Sequence, residues 1–254
     1  MYGGFKMNSL PEKMCMIIPC YNEEKRLDIE SFKSFTGGCY FLFVNDGSKD
    51  DTIGLLKRNQ QENIFVLDLT QNGGKAEAVR QGMLHIRTLP IYNGIKWVGY
   101  WDADLSTPLD ELFNFMTYYK TFFPKAHTIW GSRVRRLGSN IKRTNKRHIL
   151  GRMFANVTSF FLKLSCYDTQ CGAKIFKKEL IDDAFSEPFL SRWIFDVEIL
   201  MRLRTYNIVE YPLNTWIDVA GSKIKMIPVA YRTFVEIFKI RKKYILDIKR
   251  GGTK

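Results

Sequence analysis

No apolar run in this 254-residue sequence approaches the ~18–20 residues of a membrane-spanning helix, so the chain as given is not expected to cross a bilayer. Histidine is scarce. His85, His127 and His148 are the whole complement, and none stands beside a partner in a motif, so a histidine base is not expected. The five cysteines, Cys15, Cys20, Cys39, Cys166 and Cys171, are odd in number and lack paired metal spacing. No secretory signal accompanies them, so the reading is free thiols in a reducing compartment, with Cys166 and Cys171 as packing residues rather than zinc ligands. Acid is missing from one long stretch: between Leu112 and Tyr167 there is no Asp or Glu against eleven Lys and Arg. From Lys223 to Lys254, ten basic residues face two acids, Glu236 and Asp247. The net charge of +13 is therefore concentrated in two segments. Such asymmetry marks a surface that meets anions, whether nucleic acid, lipid headgroups or phosphorylated substrates.

What is present points to one sizeable core, since 45% of the residues are hydrophobic. Residues 1–13 lack periodicity and read as a flexible lead-in. From there, short β-rich runs at 14–19, 40–46, 64–69, 97–102 and 127–131 alternate with helical patterns at 23–35, 50–61, 75–89 and 109–122. Strand–helix alternation at this spacing predicts an α/β fold, a mostly parallel sheet flanked by helices, over 14–226. A helix carrying Ile149, Met153, Val157, Phe160 and Leu164 at spacings of three and four follows, with Arg143, Lys146, Arg147 and Arg152 near its start. Phe154 and Phe161 widen its apolar face. The tail, 227–254, reads as a basic amphipathic helix. Such stripes pack on a core or touch a membrane surface, and both readings stand.

The most informative stretch is W-V-G-Y-W-D-A-D-L at 97–105, an apolar strand ending on Asp102 and Asp104. Side chains at i and i+2 of an extended segment share a face. Both carboxylates thus converge at the carboxyl end of a strand, where open α/β sheets place their ligands. Two converging anions call for a cation, and hard oxygen ligands with room left for phosphate suit Mg²⁺ or Mn²⁺. A strand-to-loop turn with solvated acids is the other reading of D-x-D taken alone. Further motifs fall at predicted strand ends. I-I-P-C-Y-N-E offers Pro19, Tyr21, Asn22 and Glu23, an aromatic face and polar groups suited to a nucleobase and ribose, or an ordinary turn into a helix. F-V-N-D-G-S places Asp46 to accept from a base N–H, or is plain turn chemistry. Q-N-G-G-K at 71–75 allows close backbone approach ahead of Lys75, and G-S-R ends at Arg133.

As an ordered set these motifs resemble the family-2 glycosyltransferases of the GT-A fold. D-T-Q-C-G-A-K (168–174), F-D-V-E-I-L (195–200), P-L-N-T-W (212–216) and G-S-K (221–223) narrow the likeness to its polyprenyl-phosphate branch, the dolichyl-phosphate mannose and glucose synthases and bacterial relatives. The likeness runs from about Met14 to about Lys225. It implies an inverting transfer of a hexose from a UDP- or GDP-sugar to a polyprenyl phosphate, at the cytoplasmic face of a membrane. Pro19, Tyr21, Glu23, Asp46, Lys75, Asp102 and Ala103 would hold the donor, with Asp102 and Asp104 on the divalent metal. Arg133, Arg147 and Gln170 would hold the acceptor phosphate, and Asp104, Asp196 and Arg133 would carry the chemistry. A membrane surface or a membrane-embedded partner subunit would complete the assembly. The sequence departs from the pattern in four places. Ser106 replaces a frequent Gln, so mannose and a third metal ligand are not implied there. Asn45 replaces the first Asp of D-D-G-S, Ala173 replaces an aromatic, and Gly151 replaces a Ser that often contributes to phosphate binding.

Transfer from a nucleoside diphosphate builds charge on the leaving group, and a metal with cationic side chains is the main lever on it. A phosphate acceptor is already anionic and needs positioning rather than a base. A soluble sugar, a protein or a cell-surface glycan is the alternative acceptor. A nucleic-acid-binding protein would account for the basic segments but not for D-A-D-L, and no nucleic-acid partner is expected. A metal-dependent phosphohydrolase would need a nucleophile arrangement that a bare D-x-D lacks.

Overall fold

The structure is a computed structural model that describes residues 9–35, 37–219 and 235–246, with the side chains at 146–148 and 150 outside the described set. A seven-stranded sheet is its frame: β1 (Met14–Cys20), β2 (Cys39–Asp46), β3 (Ile64–Leu69), β4 (Trp97–Trp101), β5 (Thr128–Ser132), β7 (Ala173–Lys177) and β8 (Ile208–Pro212), in the order β3-β2-β1-β4-β7-β5-β8. Only β7 runs against its neighbours. Short strands β6 (Asn140–Lys142) and β9 (Thr215–Ile217) pair separately. The expected mostly parallel, helix-flanked α/β sheet is what the chain forms.

Alternation along each strand feeds two cores. Met14, Met16 and Ile18 join Phe41, Phe43, Trp97 and Trp101 on one face, under α1 (Ile29–Ser34) and α4 (Glu111–Phe122). Cys15 and Ile17 join Leu42, Val44, Val98 and Tyr100 on the other, under α3 (Lys75–His85), α6 (Ile181–Phe185) and α7 (Phe195–Arg202). Because both faces are covered, the strands read as nearly continuous apolar runs. The sheet order reverses between β1 and β4, so a crevice opens at their carboxyl ends, the place such sheets offer to ligands.

The helix expected over 23–35 is shortened to α1. Asn22 is left-handed, at φ 55°, its N–H donates to Ser48 Oγ at 3.0 Å, and Glu23 N–H donates to Thr52 Oγ1 at 2.8 Å. These ties to the turn before α2 (Thr52–Arg58) hold 22–23 out of helix until Asp28 caps α1 through Ser31 N–H at 3.2 Å. In the described part of 1–13, Leu10 is buried and its N–H donates to Gly37 O at 2.6 Å, and Glu12 accepts from Trp97 Nε1.

α5 (Asn145–Leu162) forms where the periodicity places it, but its buried face differs from the expected stripe. Ala155, Thr158 and Leu162 point inward, whereas Ile149, Met153 and Phe160 are 59, 58 and 81% exposed. Leu162 packs with Ile194, Val197 and Met201 and with Ile237 and Ile240 of α8 (235–241), which runs on into a π turn at Lys242–Leu246. Most of the expected tail helix, and G-S-K at 221–223, lie outside the described residues. Among the described residues no helix is long and apolar enough to cross a membrane.

Candidate active site

One cleft of about 270 Å³ sits at the carboxyl ends of β1, β2 and β4, lined by Pro19, Cys20, Tyr21, Glu23, Arg26, Asp46, Lys75, Ala78, Asp102, Ala103 and Asp104. Every residue expected at the donor and the metal is therefore brought together, although they come from four separate motifs. Tyr21 offers an exposed ring. The Glu23 carboxylate is held by Arg26 through two hydrogen bonds of 3.0 Å. Burial pushes the Glu23 carboxyl up, and the nearby Asp104 and Asp50 act in the same direction against the pull of Arg26.

Asp102 and Asp104 leave β4 on a tight turn in which Leu105 N–H donates to Asp102 O at 3.2 Å and Leu105 adopts φ 51°. Asp104 Oδ1 accepts Ser106 N–H at 3.0 Å, so Ser106 serves the turn through its backbone. Asp102 is paired with the Lys75 ammonium. Burial would raise the Asp102 carboxyl, but Lys75, Lys174 and Arg133 together hold it below the usual carboxylate value. The reciprocal holds for Lys75: burial would lower it, and Asp102, Asp196 and Asp104 raise it. Gly172 makes room for this arrangement, since a Cβ there would lie 1.8 Å from Asp102 Oδ2.

Asp46 is placed in the cleft with most of its hydrogen bonds spent on the protein. Its Oδ1 accepts Gly73 N–H at 2.7 Å, and its Oδ2 accepts Gly74 N–H at 2.8 Å and Asn72 Nδ2 at 3.0 Å. It thus organises the Q-N-G-G-K loop, and Gly47 at φ 61° must be bare because a Cβ would meet Asn72 N at 2.7 Å. Burial raises the Asp46 carboxyl against those two amides and Arg192. Asn45, the departure from D-D-G-S, donates to Asp68 Oδ1 at 2.7 Å across the β2–β3 pair. An Asp there would face Asp68 as a like charge, which accounts for the amide.

A second cluster lies beside the first. Arg133 grips Asp168 with Nε and Nη2 at 2.6 and 2.8 Å, and its guanidinium lies over the Trp216 ring at 5.3 Å. Asp168 N–H and Tyr167 N–H are in turn held by Glu210, at 2.9 and 2.7 Å. Gln170 N–H donates to Asp168 Oδ1 at 3.2 Å. Gly151 leaves space that the Arg143 guanidinium approaches: a Cβ there would meet Nη2 at 2.7 Å. Burial and the like charge of Arg133 lower the Arg143 guanidinium.

This arrangement matches known proteins. Residues 15–185 match the family described as Glycosyl transferase family 2. The chain belongs to that family. A dolichyl-phosphate beta-glucosyltransferase of Dictyostelium discoideum is 30% identical over 92% of this chain and 76% of its own length. The protein so named in Saccharomyces cerevisiae is 30% identical over 95 and 78%, and that of Homo sapiens 28% over 85 and 71%. Among solved structures, glucosyl-3-phosphoglycerate synthase from Mycobacterium tuberculosis, in complex with Mn²⁺, UDP and phosphoglyceric acid, superposes with a TM-score of 0.66. It is 14% identical and covers 91% of this chain and 78% of that one, which establishes a shared GT-A fold.

In this family-2 glycosyltransferase, Asp196 is 5% exposed and lies below the cleft floor rather than among its lining residues. Its Oδ1 accepts from the Tyr100 hydroxyl and from Lys174 Nζ, the latter at 2.5 Å. Lys174 is fully buried, also donates to Cys171 O, and lies 4.5 Å from the Trp130 ring centroid. The Arg147 side chain lies outside the described set. Neither His85 nor His127 lines the cleft, and His127 Nδ1 accepts Asn207 N–H at 3.1 Å. Site residues that the sequence alone does not single out are Lys174, Asp168 as the partner of Arg133, and Arg192. Two of these, Lys174 and Asp168, lie inside D-T-Q-C-G-A-K.

The Arg133–Asp168 pair makes a pH prediction. Burial would raise the Asp168 carboxyl, yet Arg133 outweighs it and holds the group far below the usual carboxylate value. A folded-state value below the unfolded one of about 3.9 gives stability that is present above that pH and lost as pH falls toward the folded value. Thermal unfolding followed from about pH 5 to pH 2 should show a steep loss beginning near pH 4. Asp168→Asn should be less stable at pH 7 and lose less across the acid window. Equal slopes for the two proteins would remove Asp168 as a contributor.

Proposed function

We propose that this chain transfers glucose from UDP-glucose to a dolichyl-type polyprenyl phosphate, with inversion at the anomeric carbon and a divalent metal at Asp102 and Asp104. The observation that carries the reading is the meeting of Asp102, Asp104 and Lys75 with Tyr21, Glu23 and the Asp46-held loop in one cleft. Relatives named for dolichyl-phosphate glucosylation over nine-tenths of the chain supply the sugar and the acceptor. The solved relative in complex with Mn²⁺ and UDP favours uridine.

The residues present fit a metal. Two carboxylates stand at one strand end, and a lysine ammonium already occupies Asp102 as a cation would. Among the described residues no group of three His, Cys, Asp or Glu converges, so the remaining ligands would be diphosphate oxygens and water, as Mg²⁺ and Mn²⁺ accept. Bound there, the ion would neutralise charge on the departing UDP. Lys75 adds a cation on the same side, and the buried Lys174 biases Asp102 toward its ionised form. The Tyr21 ring gives the uracil an apolar face. Arg133 keeps Nη1 free of Asp168 for the acceptor phosphate, with Gln170 bonded to the same Asp168 and the Arg143 guanidinium near enough to feel the charge of Arg133, and Arg147 is assigned to the same phosphate. Attack by a phosphate already anionic at neutral pH needs alignment and not a base, and a single displacement turns an α-linked donor into a β-linked product.

Acceptors of this kind lie in a bilayer. The exposed Ile149, Met153 and Phe160 of α5, set in a segment free of acid, support contact with an anionic membrane surface on the cytoplasmic side. The test is an assay with radiolabelled UDP-glucose and Mn²⁺, offering dolichyl phosphate in anionic vesicles or a soluble phosphorylated acid. Label is expected in the lipid fraction, lost with a chelator, and absent with GDP-glucose. Label in the soluble acid alone would overturn the lipid assignment.

A further inference from the structure

We propose that Arg192 is a positioning residue for the donor pocket and that the C-terminal helix holds it in place. This rests on reading the cleft as the donor site. Arg192 Nε donates to Gly73 O at 2.7 Å and Nη2 to Asn72 O at 2.9 Å. On the opposite side, Asp46 accepts from Gly73 N–H and Gly74 N–H. The carbonyl of Asn72 and the amide of Gly73 belong to one peptide group, and the carbonyl of Gly73 and the amide of Gly74 to the next. Two successive peptide groups are thus clamped end to end, a guanidinium on their oxygens and a carboxylate on their nitrogens. Each peptide dipole is aligned between opposite charges, and charge-assisted hydrogen bonds are about twice as strong as neutral ones. The clamp fixes Gly74 at φ 87°, where a Cβ would stand 3.1 Å from Arg192 Nε. Gly74 is the residue from which α3 starts, so the clamp sets the direction in which Lys75 reaches Asp102.

Arg192 is itself exposed, and what holds it lies on either side. Ser191 is buried; its hydroxyl accepts Ile194 N–H at 2.8 Å and donates to Glu236 Oε2 on α8 at 2.5 Å. Leu190 N–H donates to Glu198 Oε2 at 2.8 Å, and Glu198 Oε1 accepts from the Tyr244 hydroxyl at 2.8 Å. The strap bearing Arg192 is therefore fastened to the C-terminal segment through Leu190 and Ser191, the two residues before the arginine, and Ile194 beyond it packs in one apolar cluster with Ile237 and Ile240. A continuous chain of contacts runs from α8 through Arg192 and the two glycine peptides to Lys75.

Amide hydrogen exchange over 71–76, with UDP-glucose affinity and acceptor KM, tests this in the full chain. Arg192→Ala should speed exchange at Gly73 and Gly74 about tenfold and weaken UDP-glucose binding in Mn²⁺ by about tenfold, the loss of roughly 1.4 kcal/mol. Acceptor KM should stay unchanged. Arg192→Lys keeps the charge without the fork and should recover only part of both effects. Glu236→Ala should move both readouts the same way by less, while Lys239→Ala, exposed on the same helix, should move neither. Wild-type exchange at 73–74 in Arg192→Ala, or a raised acceptor KM with unchanged donor affinity, overturns the assignment. Wild-type exchange in Glu236→Ala removes the C-terminal helix from it. A wild-type protein that binds no UDP-glucose sinks the donor-site reading instead, and the exchange measurement still decides the clamp.

Discussion

Asp104→Asn is expected to leave a folded protein whose turnover with Mn²⁺ and UDP-glucose falls about 10²–10³-fold, the size of effect seen when one preorganised electrostatic group is removed from an active site. The fold should survive because the exchange is isosteric. The substituted side chain keeps an amide oxygen that can still accept the Ser106 N–H, which Asp104 Oδ1 accepts at 3.0 Å, so the turn around left-handed Leu105 keeps its closing bond. What is lost is one of the carboxylate charges that line the cleft. Asp102→Asn should do comparable damage to turnover but also alter the fold locally, since it strips Lys75 of its partner. Steady-state rates over a Mn²⁺ titration, beside melting temperatures, separate the two. An Asp104→Asn protein with wild-type turnover at saturating Mn²⁺ would end the metal assignment for that residue.

The donor half of the site was legible because its signal is local. An apolar strand that stops on a polar residue announces its carboxyl end, and Asp46 and Asp102 each stand at such a stop. The sheet's reversal between β1 and β4 then brings those stops together, which strand–helix alternation implies. The edges of the site were less legible because their signals are long-range. Lys174 sits in A-K-I-F-K, where a strand with two lysines reads as surface, and its burial depends on Asp196, 22 positions away. Asp46 offered a free acceptor on paper, yet its partners are amides 27 and 28 positions on. The α5 periodicity located the helix but not its inward face, since Ala155 and Thr158 pack there while larger apolar residues remain outside. Arg192 carried no motif, and only the fold shows two carbonyls within its reach.

Lys174→Met tests whether the buried charge below the cleft supports the fold, the chemistry or both. Lys174 is fully buried, with Asp196 and Cys171 O as its acceptors and the Trp130 and Tyr100 rings around it. Methionine fills similar volume, so packing changes little, but Asp196 becomes a buried carboxylate left with the Tyr100 hydroxyl. Breaking a buried pair this way costs about 3–5 kcal/mol. For a chain of this size that is a drop in melting temperature of roughly 6–20 °C. Lys174→Met/Asp196→Asn removes the orphaned charge and keeps an acceptor for Tyr100, so most of the lost stability should return. Turnover should not return with it. Lys174 holds Asp102 toward its ionised form and Asp196 acts on Lys75, so the pair sets the field in which the two cleft residues work. With both charges gone, we expect turnover to stay at least about tenfold down while stability recovers, with kcat and kcat/KM falling together if the loss is confined to the transition state. A double variant that regains stability and wild-type turnover together would assign Lys174 and Asp196 to the fold alone.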